Sequence, residues 1–257
     1  MRWPVFLSLV EAQDDNSFKV LREIANYGGK SQSIGITGPA GAGKSTTIDQ
    51  LIRKFREQNK KVGVLAVDPT SPFTGGAVLG DRVRMQRHSG DSDVYIRSIG
   101  SRGKTGGVSF STRALMQMID AYGSDYILVE TVGAGQSEVD IMNLVDTTVV
   151  ILTPESGDSI QALKAGMLEI ANIFVINKDR DGAERIANDI KMMLSLNPFQ
   201  EGWQPPIIMT EAQSGDGIEE LIEAVHAHQK IYKRAVEVHK ICCDVARTCS
   251  MKSFKRV

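Results

Sequence analysis

No apolar run in this 257-residue chain approaches the ~20 residues a membrane span requires, which argues against a spanning helix. Charge of one sign is equally scarce. Thirty Lys and Arg stand against 31 Asp and Glu, for a formal net charge of −1. No broad basic surface is implied, so nucleic-acid binding as the main function is disfavoured and only a local basic patch stays open. Cysteine is nearly missing: Cys242, Cys243 and Cys249 all lie near the C-terminus. His239 is close to them, but adjacent cysteines fit no common zinc spacing. Unpaired thiols are the default reading and a metal site the alternative. The four histidines are scattered and form no His-rich tract. There is no internal repeat, no low-complexity tract and no methionine-rich amphipathic domain. The opening Met1-Arg2-Trp3-Pro4-Val5-Phe6-Leu7 superficially resembles a leader. Its apolar stretch breaks at Ser8, and no small-residue cleavage site precedes Glu11, so it reads as part of a helix. The expected compartment is the cytoplasm, or an organelle matrix if a targeting segment is missing.

What remains is an ordinary globular composition, 42% hydrophobic and 24% charged, long enough to bury a core without disulfide staples. Residues 38 to 45 read G-P-A-G-A-G-K-S, matching the phosphate-loop pattern G-x-x-x-x-G-K-[ST] at every position. Before it, Ser33 to Thr37 reads as a buried strand. After it, Ile48, Leu51, Ile52 and Phe55 recur at helical spacing. Strand, glycine loop and helix in that order aim a helix N-terminus at an anion. Further apolar runs at Val62–Val67, Val94–Arg97, Tyr126–Val129, Thr148–Leu152, Ile173–Ile176 and Pro206–Met209 read as strands. They alternate with helical patterns at Ser111–Tyr122, Val139–Leu144, Ile160–Ile170, Ala183–Leu194 and Ile218–Ile231. Buried strands alternating with helices predict an α/β fold of the P-loop NTPase kind, with a mostly parallel central sheet flanked by helices and short helical extensions at both ends. The expected division is a helical extension over 1–30 anchored by Leu21 and Ile24, a nucleotide-binding domain over 31–230, and a helical or frayed tail over 231–257. The glycine-rich stretch from Asp68 to Gly107 shows little periodicity, and long irregular segments are commonly functional or mobile.

Ligands of such sheets bind beyond the carboxyl ends of the strands, where the chemistry-bearing residues gather. In the loop, Gly38, Ala40, Gly41, Ala42, Gly43, Lys44, Ser45 and Thr46 are the candidate phosphate cradle. Lys44 suits the β- and γ-phosphates, and the Ser45 hydroxyl suits Mg²⁺. A carboxylate beside a triphosphate is repelled unless a divalent cation lies between them. Asp68, Asp81 and Glu130 are therefore candidate metal-side and catalytic acids. Gly133, in E-T-V-G, is placed to sense the γ-phosphate, and Gln136 is either a water-positioning group or a surface residue. Asn177-Lys178-Asp179 follows a strand and approximates the guanine-reading N-K-x-D. Arg180 holds the place expected for the acid, with Asp179 one residue early and Asp181 one late. A one-residue slip moves a carboxylate by ~3.5 Å, enough to break a hydrogen bond unless the loop adjusts. Thr210-Glu211-Ala212 follows the last strand and fits a second base-contacting loop, with the Ala212 N–H expected to face the guanine oxygen. GTP is favoured over ATP.

Taken together, the strings G-P-A-G-A-G-K-S-T, A-V-D-P-T-S-P-F-T-G-G-A-V-L-G-D-R-V-R-M, I-R-S-I-G-S-R-G-K-T-G-G, V-E-T-V-G-A-G-Q-S-E-V-D, G-D-S-I-Q-A-L-K-A-G-M-L-E-I-A and N-K-D-R-D-G-A-E resemble the MeaB/ArgK/MMAA family of metallochaperone GTPases. The resemblance runs from about Leu7 to His228. It implies a Mg²⁺-dependent GTPase that assists an adenosylcobalamin-dependent acyl-CoA mutase, typically methylmalonyl-CoA mutase, by gating cofactor loading and by protecting or reactivating the enzyme. It also implies that Gly157 to Lys164 is a loop signalling to the mutase, with Gln161 and Lys164 as its signalling side chains, and that the chain forms a homodimer. Two departures stand out: the shifted acid after Asn177-Lys178, and a short cysteine-bearing tail after Lys230. Rival readings are a kinase acting on a small molecule or protein, a nickel-type metallochaperone GTPase, and a nucleotide-switched scaffold that does not hydrolyse.

Overall fold

The apolar runs become strands buried on both faces. Tyr126–Thr131, Thr147–Leu152 and Ile173–Asn177 are buried at every position, the signature of strands covered by helices on each side. The computed structural model describes residues 15–24, 27–68, 86–88, 90–100, 107–131, 142–154, 168–178, 182–196 and 202–234. In chain order these form α1 (Asp15–Ile24), β1 (Gln32–Thr37), α2 (Lys44–Glu57), β2 (Val62–Asp68), a 3-10 turn at Gln86–His88, and β3 (Val94–Gly100). Then come α3 (Gly107–Ala121), β4 (Tyr126–Thr131), β5 (Thr147–Leu152), one helical turn at Leu168–Ile170, β6 (Ile173–Asn177), α4 (Ala183–Leu196) and β7 (Ile207–Thr210). A last helix, α5, spans 218–234 and so continues across the division expected at 230.

The strands form one seven-stranded sheet of order β3-β2-β4-β1-β5-β6-β7, parallel at every pairing. The period-2 alternation of a strand sorts its side chains between two layers. Ile34, Ile36, Val62, Val64, Tyr126, Leu128, Val149, Ile151, Ile173 and Val175 face one layer. There they meet Ile48, Leu51, Ile52 and Phe55 of α2 and Ile218, Leu221, Ile222 and Val225 of α5. Phe55 stacks on Tyr126 with ring centroids 3.8 Å apart. The alternate positions face the other layer. Leu65, Val67, Ile127 and Val129 meet α3 through Leu115, Met118 and Ile119, with Leu21 and Ile24 of α1 packed on the same cluster. Val150, Leu152, Phe174 and Ile176 meet α4 through Ile186 and Ile190. The anchoring expected of Leu21 and Ile24 is thus observed.

Several boundaries differ from the sequence reading. β3 runs to Gly100 because it pairs in step with β2 from Val62–Val94 to Asp68–Gly100 and buries Ile99, so regular structure enters the stretch expected to be irregular. α3 begins at Gly107, where a glycine had read as loop. Glu130 lies inside β4 rather than beyond it. Most of the helices expected at Val139–Leu144 and Ile160–Ile170 lies outside the described residues.

Candidate nucleotide-binding site

β1 sits at the centre of the sheet, between β4 and β5. Its C-terminal end is where successive connections part to opposite sides, the position at which open parallel sheets bind ligands. The loop Gly38–Gly43 leaves β1 there and enters α2 at Lys44. Gly43 is the cap of that helix, with φ 93° and no side chain to satisfy the first-turn N–H groups. A helix start of that kind offers its N–H groups and its positive dipole end to an anion. Two glycines are required by space as well as by angle. A Cβ on Gly38 (φ 140°) would collide with the carbonyl oxygen of Ile151, and one on Gly43 with the side-chain nitrogen of Asn177.

Strand parity explains which polar side chains meet the loop. Glu130 shares the parity of Tyr126 and Leu128, and Asn177 that of Ile173 and Val175, so both lie on the α2 side of the sheet. Ser45, in the first turn of α2, donates its hydroxyl to Glu130 Oε1 at 2.8 Å, and both residues are buried. Lys44 is 7% exposed, and its ammonium donates to the carbonyls of Gly38 at 2.9 Å and Pro39 at 3.0 Å. Asn177 joins two loops. Its Nδ2 donates to Ala42 O at 2.8 Å, while its Oδ1 accepts from the Ala212 N–H at 3.0 Å and the Thr210 hydroxyl at 3.3 Å. The register Asn177–Thr210 between β6 and β7 sets up that contact. On the sheet's other side, Thr131 donates to Thr37 at 2.9 Å, tying the end of β4 to the end of β1.

These groups line a cleft of about 430 Å³. Ala40, Gly41, Gly43, Lys44, Ser45, Thr46 and Glu130 lie along its phosphate-loop end, and Asn177, Lys178 and Ala212 at the other. Lys178 has a positive φ of 63°. Of the expected residues, Gly38, Ala42 and Thr210 support the walls through the bonds above. Asp68 is the last residue of β2, paired with Gly100, and its side chain lies outside the described residues. Asp81, Gly133, Gln136, Gln161, Lys164, Asp179 and Asp181 also lie outside them. One expectation changes: the Ala212 N–H, assigned by sequence to the guanine oxygen, is directed at Asn177 Oδ1, because β6 and β7 end side by side.

Ala66, Val67, Thr131, Glu211 and Gln213 also line the cleft, although no side-chain role for them follows from the sequence alone. The first three are strand-end positions visible only once the sheet order is known. Glu211 and Gln213 sit in T-E-A-Q, the loop already singled out for Thr210 and Ala212.

A parallel sheet whose central strand feeds a glycine loop and an open helix N-terminus, with a buried serine–carboxylate pair beside it, defines a P-loop nucleoside-triphosphatase fold. The family described as "Methylmalonyl Co-A mutase-associated GTPase MeaB" matches residues 5–251. GTPase ArgK of Escherichia coli (strain K12) is 36% identical over 85% of this chain and 69% of its own length. A Pyrococcus abyssi protein provisionally named a GTPase is 47% identical over 89% of this chain and 72% of its own. Among solved structures, a crystal structure of an LAO/AO transport system kinase superposes with a TM-score of 0.72 at 26% identity, over 98% of this chain and 78% of that one. The chain belongs to the MeaB family of GTPases. Among the described residues no helix is long and apolar enough to cross a membrane.

Proposed function

We propose that the protein hydrolyses GTP with Mg²⁺ and uses the cycle to assist an adenosylcobalamin-dependent acyl-CoA mutase of the methylmalonyl-CoA mutase type. The observation that carries the site is the cleft itself, which runs from the Lys44–Ser45 helix start to the strand ends at Asn177 and Ala212. The partner rests on the family's name. The residues present fit a magnesium ion: Ser45 and Glu130 supply hard oxygen donors 2.8 Å apart, the chemistry Mg²⁺ takes. Ser45 and Glu130 would hold it, with Asp68 and Asp81 the further candidates. Bound there, Mg²⁺ supplies charge neutralisation at the phosphate oxygens.

The protein's own contribution is positioning and electrostatics, with no covalent intermediate. Backbone N–H groups of the loop and first turn of α2 take up the phosphate oxygens. The Lys44 ammonium, held by two carbonyls beside the cleft, stabilises charge that builds as the γ-phosphoryl passes to water. Gly133 reports the γ-phosphate, and Gln161 and Lys164 carry the signal to the mutase. Turnover is slow in the free protein and faster with the mutase, because the partner orders segments the reaction needs.

Phosphate release measured with GTP and with ATP, each with and without a methylmalonyl-CoA mutase, tests the reading. Hydrolysis of GTP stimulated by the mutase supports it; GTP turnover indifferent to any acyl-CoA mutase removes the gating role. The likeness to a structure described as an LAO/AO transport system kinase favours one rival. Under it, γ-labelled phosphate would appear on an acceptor rather than in solution.

A further inference from the structure

We propose that Glu211 supplies the carboxylate that reads the base edge of guanine in this cleft. The inference rests on the nucleotide-site reading above and deepens it. Guanine presents two adjacent donors, N1–H and the 2-amino group, beside an oxygen acceptor. Adenine presents an acceptor at N1 and a donor at N6. An ionised carboxylate only accepts, so it bonds the guanine pair and repels the adenine nitrogen. The usual source of that acid, the fourth residue of N-K-x-D, is Arg180 in this chain.

The sheet brings another acid to the same place. Asn177 of β6 and Thr210 of β7 are paired in parallel register, so the next residues, Lys178 and Glu211, leave adjacent strand ends together. Both line the cleft, as do Ala212 and Gln213. Two acids are among the described lining residues, Glu130 and Glu211. Glu130 is bonded to Ser45 at the phosphate end, whereas Glu211 stands among the strand ends beside Lys178 and Ala212.

The Glu211 loop is also built to hold a position. Its N–H donates to Asp216 O at 3.1 Å and its carbonyl accepts from Gly215 N at 2.9 Å. Gln50 of α2 donates to Ala212 O at 3.1 Å, and Ala212 N donates to Asn177. Gly217 (φ 76°) lies so close under the Met209 carbonyl that a Cβ would collide with it. The Glu211 carboxylate itself accepts from the Gln213 N–H at 3.4 Å, which keeps it over a cleft-lining residue. A recognition group tied to helix and sheet in this way is placed before its ligand arrives.

Glu211→Gln tests the assignment by titration calorimetry with GDP, ADP and xanthosine diphosphate in magnesium buffer. The amide keeps the length but replaces one acceptor by a donor, which suits xanthine, where a carbonyl replaces the 2-amino group. GDP should weaken roughly 10- to 100-fold, the loss typical of a hydrogen bond to a charged group, xanthosine diphosphate should tighten, and ADP should stay unchanged. Glu211→Ala should lose GDP without gaining xanthosine diphosphate, so the proposal stays testable if the Gln variant fails to fold. An unchanged GDP to xanthosine diphosphate ratio in a folded Glu211→Gln protein overturns the role of Glu211. So does the same inversion produced by Asp179→Asn or Asp181→Asn. If the wild type bound no nucleotide, the underlying site reading would fail as well; GDP binding by the wild type confines the failure to Glu211.

Discussion

The two edges of the sheet carry similar polar residues and treat them in opposite ways. At the N-terminal edge, charge is met by charge. Arg56 pairs with Asp91 at 2.8 Å and Asp93 at 3.1 Å, Lys60 with Asp125 at 3.4 Å and Lys61 with Asp93 at 3.6 Å. His226 bonds the Tyr126 hydroxyl and His228 the Thr147 hydroxyl, each at 2.9 Å. Asp120 gathers the N–H groups of Gly29, Lys30 and Ser31 and the Ser31 hydroxyl. Burial pushes its carboxyl up, but these donors outweigh burial and hold it below the usual carboxylate range. At the C-terminal edge the ammonium of Lys44 is held by neutral carbonyls, and Glu130 by a hydroxyl. Both groups border a cleft at that edge. One edge closes the fold; the other is built for a charged ligand.

Changes at each edge should therefore separate stability from activity. The largest effect is expected from Phe55→Ala, which removes a fully buried ring stacked on Tyr126. It should cost about 3–5 kcal/mol of unfolding free energy in urea titrations. Lys44→Ala at the opposite edge should lower GTP hydrolysis by roughly 10²- to 10³-fold, the loss seen when one donor aimed at developing charge is removed. Parallel melting curves should leave the protein folded; a variant as unstable as Phe55→Ala would erase the distinction between the edges. Asn177→Ala is the intermediate case. It strands the buried Ala42 carbonyl and Ala212 N–H, and should cost about 1–3 kcal/mol in stability while weakening nucleotide binding.

The smallest effect is a pH dependence belonging to the N-terminal edge. Burial holds His226 and His228 below the ordinary imidazole value; Lys230 adds to this at His226, and Asp146 opposes it at His228. The unfolded chain takes up these protons near pH ~6.5, before the folded protein does. Stability is thus fully present above that pH and falls as pH drops through it toward the folded values. Denaturation midpoints between pH 7.5 and 5 should show this decline, and His228→Gln should flatten it. A midpoint that rose on acidification would contradict the assignment.

Much of this division was legible in the residues. The continuous apolar runs gave every strand's location, and Ile48, Leu51, Ile52 and Phe55 gave the buried face of α2, because period alone carries that information. The glycine loop announced its chemistry because each of its positions has a steric or electrostatic requirement. The strand order was not legible, since nothing local shows that β1 lies between β4 and β5. Glu130 was read as lying beyond its strand, although parity within β4 is what turns it toward Ser45. The Ala212 N–H was assigned to a ligand because its competitor, Asn177 Oδ1, comes from a neighbouring strand far away in sequence. No role for the Glu211 or Gln213 side chain was legible for the same reason, although Glu211 sits in a loop the sequence marks as base-contacting: their placement depends on pairing between β6 and β7. Asp120 read as one more residue of a helix, and its role in gathering three backbone donors appears only when α3 is set beside the start of β1.

The central claim is that the open edge binds a magnesium-associated guanine triphosphate. Titration calorimetry of the purified wild-type protein with a non-hydrolysable GTP analogue, with and without Mg²⁺, tests it most directly. Saturable binding at one site per chain, strengthened by Mg²⁺ and not reproduced by the ATP analogue, is the predicted result. Absence of heat with either analogue in magnesium buffer would contradict it.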